Sequence, residues 1–212
     1  MSVPPFWQPQ ARPDSCRMHA VNAIAGRAAF GSWEDFVARA CDAYDATLTE
    51  PMARGTSRTL TLPGQLEFAV QLACPEVTTV GTVILQHDVA ARHALASVLD
   101  AWQGVVDPHE ASPVHEAGPR LRGVLLYDQA HIFAAVPSDR GAPGAAAWWV
   151  LDSISPGPRL VHLPTLLRTT STLNVMVVSQ CERQPRVLPR IGVPAEQLTV
   201  SGELYVGVRR MA

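Results

Sequence analysis

An α+β fold, with N-terminal helices packed on an antiparallel β-sheet, is predicted by three features of this 212-residue chain. Its N-terminal part carries helix-period apolar patterns bounded by caps and turn formers, and from Leu121 onward the pattern changes to short β-branched and aromatic runs. Two of those runs are separated only by Asp128-Gln129-Ala130, a link that fits an antiparallel hairpin and is too short for a parallel crossover. Segregated helices and strands, in place of alternating ones, define that class.

In chain order, an extended segment with Pro4, Pro5, Pro9 and Pro13 leads to Asp14, a good N-cap for a helix through Ala25 that Gly26 closes. Ala20, Val21, Ala23, Ile24 and Ala25 make this helix apolar nearly all round, which predicts a central, buried position. Ser32-x-x-Asp35 resembles a capping box ahead of Phe36, Val37 and Ala40, so a second, amphipathic helix is expected to about Ala46. Residues 47–62, rich in Thr, Gly and Arg, are expected as loop. Gly64 to Ala73 reads as a third helix ended by Cys74-Pro75, and Val77 to Leu85 as a strand. Val89 to Trp102 is expected to be helical and residues 104–119 a surface loop. Strands follow at Leu121–Tyr127, His131–Val136, Trp148–Leu151 and Asn174–Ser179, with a helix around Pro164–Thr170. One domain over residues 1–182 and a C-terminal extension over 183–212, with a hairpin at Leu198–Arg209, complete the expected organisation.

Composition excludes several classes. Charged residues are 17%, hydrophobic residues 47% and the net charge is −2, which fits neither a disordered chain nor a nucleic-acid-binding surface. No stretch approaches the ~18 apolar residues of a membrane span, and the start of the sequence has no basic-then-apolar signal pattern, so an intracellular protein, cytoplasmic or nuclear, is expected. Cys16, Cys41, Cys74 and Cys181 are widely spaced, with no Cys-x-x-Cys pair, and are expected as free thiols, one of them reactive. All 17 basic residues are Arg. A GC-rich coding bias explains this together with the scarcity of Asn; avoidance of ubiquitination on Lys is the alternative, and the half-life of a Lys-restored variant separates the two.

Three short segments carry chemistry: Asp14-Ser15-Cys16-Arg17-Met18-His19-Ala20-Val21-Asn22, Ala130-His131-Ile132-Phe133 and Trp149-Val150-Leu151-Asp152-Ser153. A thiol is a strong nucleophile only as thiolate, which needs a helix N-terminus, an imidazole to take the proton and a polar group to orient that imidazole. Cys16 falls in the first turn of a predicted helix, His131 opens an apolar strand and Asp152 ends another, so neighbouring antiparallel strands would set imidazole beside carboxylate. Taken singly, a Cys such as Cys16 is more often a small buried hydrophobe, His131 fits a satisfied core residue and Asp152-Ser153 a strand-ending turn. Together they sit at the element ends that the chemistry requires. His19 is expected to be structural. His109-Glu110 and His115-Glu116 have the wrong spacing for a zinc protease motif, and no metal or other cofactor is expected.

The segments resemble the Josephin family of deubiquitinating cysteine proteases, through Cys16-x-x-His19-x-x-Asn22, His131-Ile132-Phe133 and Trp149-x-Leu151-Asp152-Ser153. The similarity continues through Gly157-Pro158, Leu166-Leu167 and Val175-Met176-Val177-Val178, and covers residues 6–46 and 121–180. The resemblance implies a papain-like fold, Cys16 as nucleophile, His131 as general base and acid, and Asp152 orienting the imidazole. It also implies an oxyanion-hole Gln before the Cys, for which Gln10 and Gln8 are the candidates. The implied activity is thiol-dependent cleavage after the C-terminal Gly-Gly of ubiquitin or a ubiquitin-like protein, by a monomer that needs no nucleic acid or membrane. The family's helical arm after its second helix has no counterpart in residues 47–62; the extra length lies between Leu85 and Arg120 instead. The alternatives are another papain-like Gly-Gly peptidase and an inactive ubiquitin-binding module.

Overall fold

The computed structural model describes residues 5–48, 58, 62–75, 77–84, 90, 93–97, 120–127, 130–138, 147–169 and 174–180. Helix α1 (Cys16–Ala25) is the centre of the structure, and nine of its ten residues are buried. A residue sequence without a polar stripe cannot lie on a surface, and here it runs against the strand Ile132–Pro137, with the helix Pro63–Ala73 alongside. Gly26 ends α1 in the left-handed conformation (φ 69°), its N–H and that of Arg27 returning to the Ala23 and Asn22 carbonyls. Arg122 adds guanidinium bonds to the Ile24 (2.9 Å) and Ala25 (2.8 Å) carbonyls, so a cation sits on the negative end of the helix dipole.

The second helical run consists of α2 (Trp33–Phe36), a π-helical stretch (Val37–Asp42) and α3 (Ala43–Ala46). Ser32 caps it by accepting the Asp35 N–H at 3.1 Å, while the Asp35 carboxylate reaches back to the Gly31 N–H at 3.2 Å. The π-helical stretch interrupts the single amphipathic α-helix expected there. Helix α4 (Pro63–Ala73) begins one residue before the expected Gly64, because Pro63 at its first position has no N–H to lose there. Phe30, Phe36 and Trp33 pack as an edge-on pair (5.1 Å) and a stacked pair (5.5 Å) between these helices and α1. Arg17 is buried among them, its guanidinium 5.5 Å from the Trp33 ring centre and bonded to Gln65 Oε1 (3.4 Å) and the Arg58 carbonyl.

Six strands form one antiparallel sheet in the order β1-β6-β2-β3-β4-β5, where β1 is Val77–Ile84, β2 Arg120–Tyr127, β3 Ile132–Pro137, β4 Ala147–Leu151, β5 Arg159–His162 and β6 Asn174–Gln180. Leu125 pairs with Ala134 and Met176, and Ala134 with Leu151, which puts these four on the α1 face. Val124, Ala135, Val150 and Val177 take the other face, with Trp148 and, from α5 (Leu163–Thr169), Leu163 and Leu167. Both faces are therefore dry, which explains why the strands read as continuous apolar runs and not as alternation. Gly123 is required by close approach: a Cβ there would lie 2.7 Å from the Ala135 carbonyl oxygen and 2.8 Å from Ile24 Cδ1, where α1 crosses β2.

The mixed helix and antiparallel-sheet class is that expected, and the other strands and helices fall within a residue or two of their predicted bounds. Three expectations are corrected. Ser15, not Asp14, holds the N-cap position of α1, and no side chain caps it. His131 precedes β3 instead of opening it. Strand β5 was not foreseen, because Leu160 is about half exposed and the segment lacks an inward/outward alternation to read. Most of 47–62, the interval 104–119, the outer parts of the 89–102 helix and the 183–212 extension lie outside the described residues; residues 93–97 are helical. No helix among the described residues is long and apolar enough to cross a membrane.

Candidate active site

Cys16 is the first residue of α1 and is 7% exposed. The side chains that could have capped this helix are engaged elsewhere: the Ser15 hydroxyl donates to the Arg12 carbonyl (2.8 Å), and the Asp14 carboxylate takes the Arg12 guanidinium (3.3 Å). Ser15 thus makes no side-chain cap to α1, and the first-turn N–H groups lie where the helix dipole is positive. That is the setting in which a thiolate and an oxyanion are both favoured.

His131 and Asp152 come together from adjacent strands. Ala134 pairs with Leu151, so one step further Phe133 faces Asp152, and His131 becomes the diagonal neighbour on that face. The His131 Nε2 to Asp152 Oδ1 distance is 2.9 Å, at 24% and 13% side-chain exposure. With Nε2 held by the carboxylate, Nδ1 remains for the thiol, and the Cys16 side chain is indeed a hydrogen-bond partner of the His131 ring. Phe133 stacks on the imidazole at 6.1 Å, limiting its rotation.

The pair is mutually charged. Hydrogen bonds from His131 to Asp152 and then to Cys16 outweigh burial and push the His131 pKa up to about 10. Burial works to raise the Asp152 pKa, but the His131 bond, the Ile154 N–H, the His131 charge and the Ser155 hydroxyl together hold it below the usual carboxylate range. A base with a raised pKa stabilises the fold fully below its unfolded value of about 6.5 and loses that contribution as pH rises toward its folded value; a carboxylate with a lowered pKa does so above about 3.9 and loses it on acidification. The melting temperature of the wild type should therefore exceed that of His131→Gln most between about pH 4.5 and 6.5. The gap should shrink as pH rises toward about 10, and again below about pH 4. A gap unchanged from acid to alkali would contradict the ion pair.

The N-terminal segment straps this site. Trp7 Nε1–H donates to the Asp152 carbonyl (2.9 Å), the Gln10 N–H donates to the Ser153 carbonyl (2.8 Å), and the Ser153 hydroxyl donates to Gln10 Oε1 (2.9 Å). Gln10 Nε2 in turn donates to the Arg12 (2.5 Å) and Pro13 (2.6 Å) carbonyls, in the loop that leads into Cys16. Gln8 lies elsewhere: its Oε1 accepts from Asn22 Nδ2 at 3.2 Å, six residues along α1 and so about 9 Å further down the helix axis. Of the two candidate glutamines, Gln10 is the one beside the Cys16 and Asp152 segments, and its amide hydrogens are occupied by loop carbonyls.

Asn22 is fully buried and bonds both the Phe30 carbonyl (2.9 Å) and N–H (3.0 Å), fixing the turn between α1 and α2. His19 is half-buried, with both ring nitrogens buried and without a hydrogen-bond partner among the described residues, and burial lowers its pKa. It is a neutral packing residue. Cys41 and Cys74 are buried thiols that form no disulfide among the described residues, and burial raises the Cys41 pKa to about 11, that of an inert thiol; Cys181 and the His109 and His115 pairs lie outside the described residues. Among the described residues no group of three His, Cys, Asp or Glu side chains is placed to hold a metal.

Sequence reading missed Trp7, Ile154 and Ser155 as partners of Asp152. The polar Asp-Ser-Ile-Ser turn after an apolar strand was the only signal for the last two, and such turns end many strands. No protein-family model matches the chain, and no curated protein matches it as a relative.

Proposed function

We propose that this protein is a cysteine peptidase of papain-like architecture that cleaves after the C-terminal Gly-Gly of ubiquitin or a ubiquitin-like protein. The observation that carries the reading is the Cys16, His131 and Asp152 constellation: a thiol at a helix N-terminus, hydrogen-bonded to an imidazole whose other nitrogen is held by a carboxylate at 2.9 Å. The Josephin resemblance of the three segments supplies the substrate class.

In this reading the Cys16 thiolate attacks the terminal glycyl carbonyl, and the tetrahedral oxyanion is held by the Cys16 N–H. Gln10 joins it by exchanging one of its two loop carbonyls for the oxyanion. His131 Nδ1–H protonates the leaving amine as the C–N bond breaks, leaving a thioester on Cys16. His131 then takes a proton from water, whose oxygen attacks the thioester carbonyl; the peptide leaves as a carboxylate and the thiol is regenerated. Asp152 keeps the imidazole oriented and charged at the right moments.

The test is incubation with ubiquitin carrying a C-terminal electrophile, followed by intact mass. A single ubiquitin adduct on the wild type and none on a folded Cys16→Ala variant is expected. A Cys16 that small alkylating reagents modify but ubiquitin does not would overturn the modifier and keep the peptidase.

A further inference from the structure

We infer that Ser155 is a positioning residue for this site, its hydroxyl holding the outer oxygen of the Asp152 carboxylate so that the inner oxygen stays aimed at His131. The inference rests on the reading of Cys16, His131 and Asp152 given above. Asp152 Oδ1 takes both His131 Nε2 (2.9 Å) and the Ile154 N–H (3.1 Å), and Oδ2 takes the Ser155 hydroxyl at 3.3 Å. A carboxylate rotates in a broad, two-fold well about its terminal torsion, so donors on one oxygen alone hold it less firmly than donors on both. A donor on the second oxygen narrows that rotation and favours the ionised form.

The backbone is fixed independently. The Ser155 N–H donates to the Asp152 carbonyl (3.1 Å), which also accepts the Trp7 indole N–H (2.9 Å). Removing the hydroxyl therefore leaves the turn standing and takes away only the grip on the carboxylate. The oriented carboxylate in turn sets how strongly His131 holds its proton and how its Nδ1 faces Cys16.

Ser155→Ala is compared with the wild type and with Ser155→Thr, which keeps the hydroxyl. Two readouts are used: NMR titration of the His131 ring in histidine-labelled protein, and the rate of Cys16 alkylation by iodoacetamide at neutral pH. Expected in Ser155→Ala are an unchanged fold, a His131 titration midpoint lower by about one pH unit, the size of one lost charge-assisted bond, and alkylation slowed about 3- to 10-fold. Ser155→Thr should restore both. A midpoint and rate in Ser155→Ala equal to those of the wild type overturn the inference, and Ser155→Gly decides it in the same way if the alanine variant does not fold. Neither readout uses ubiquitin, so an inactive ubiquitin electrophile would count against the substrate class and not against Ser155.

Discussion

His131→Ala should lower turnover of a ubiquitin C-terminal amide by roughly 10⁴-fold or more while leaving the fold intact. The imidazole acts three times in the proposed cycle, as proton acceptor for the thiol, proton donor to the amine and activator of water. Each role needs Nδ1 at the thiol, and tying Nε2 to Asp152 at 2.9 Å leaves Nδ1 for it. Cys16→Ala should be equally inactive, and the Cys16→Ala/His131→Ala double variant no slower than either single one, since residues acting as a unit are not additive. Asp152→Asn should be milder, about 10-fold, because an amide oxygen still accepts from His131 Nε2 and the Ser155 hydroxyl can accept from the new amide nitrogen. Steady-state kinetics on the four variants, with circular dichroism for the fold, checks this; additive losses in the double variant would mean that thiol and imidazole do not work together.

The largest expected effect on stability lies at Trp148, on β4 and four residues before Asp152. Trp148 is completely buried and packs with Val150, Leu163, Leu167 and Val175 on the sheet face turned away from α1. Trp148→Ala should cost about 3–5 kcal/mol and lower the melting temperature by roughly 10 °C in a chain of this size. The indole N–H is itself buried without a hydrogen-bond partner among the described residues, an unfavourable feature that phenylalanine lacks. Trp148→Phe should therefore cost less than half as much, as measured by denaturant or thermal unfolding. An equal loss in the two variants would show that the indole edge is needed in a way its buried surface does not explain.

How far the site was legible depended on the range of each interaction. The Cys16 placement followed from a local pattern, a turn and then an apolar helix closed by Gly26, and a helix start is set by neighbours in sequence. The link between His131 and Asp152 required two strands to be adjacent and antiparallel, which the short Asp128–Ala130 connection suggested only for β2 and β3. Their pairing across β3 and β4 is a matter of register, and register is decided by which side chains the two sheet faces bury. The N-cap expectation at Asp14 missed by one residue, and the Asp14 carboxylate meets Arg12, two residues away, instead of the helix end.

By itself the sequence determined the α+β class, a buried first helix and the residue types of a thiol, an imidazole and a carboxylate at element ends. Each of these is written in periodicity, caps and turns that act over a few residues. Only the tertiary structure decided that His131 Nε2 meets Asp152, that Trp7 and Gln10 tie the N-terminal segment to Asp152 and Ser153, and that Ser155 grips the second carboxylate oxygen. The first and second of these join residues more than twenty and more than a hundred positions apart, the last a hydroxyl in a turn like many others. Such contacts have no local signature, because hydrogen-bond partners are chosen by which groups burial leaves within 3 Å or so of one another once the sheet and α1 have packed.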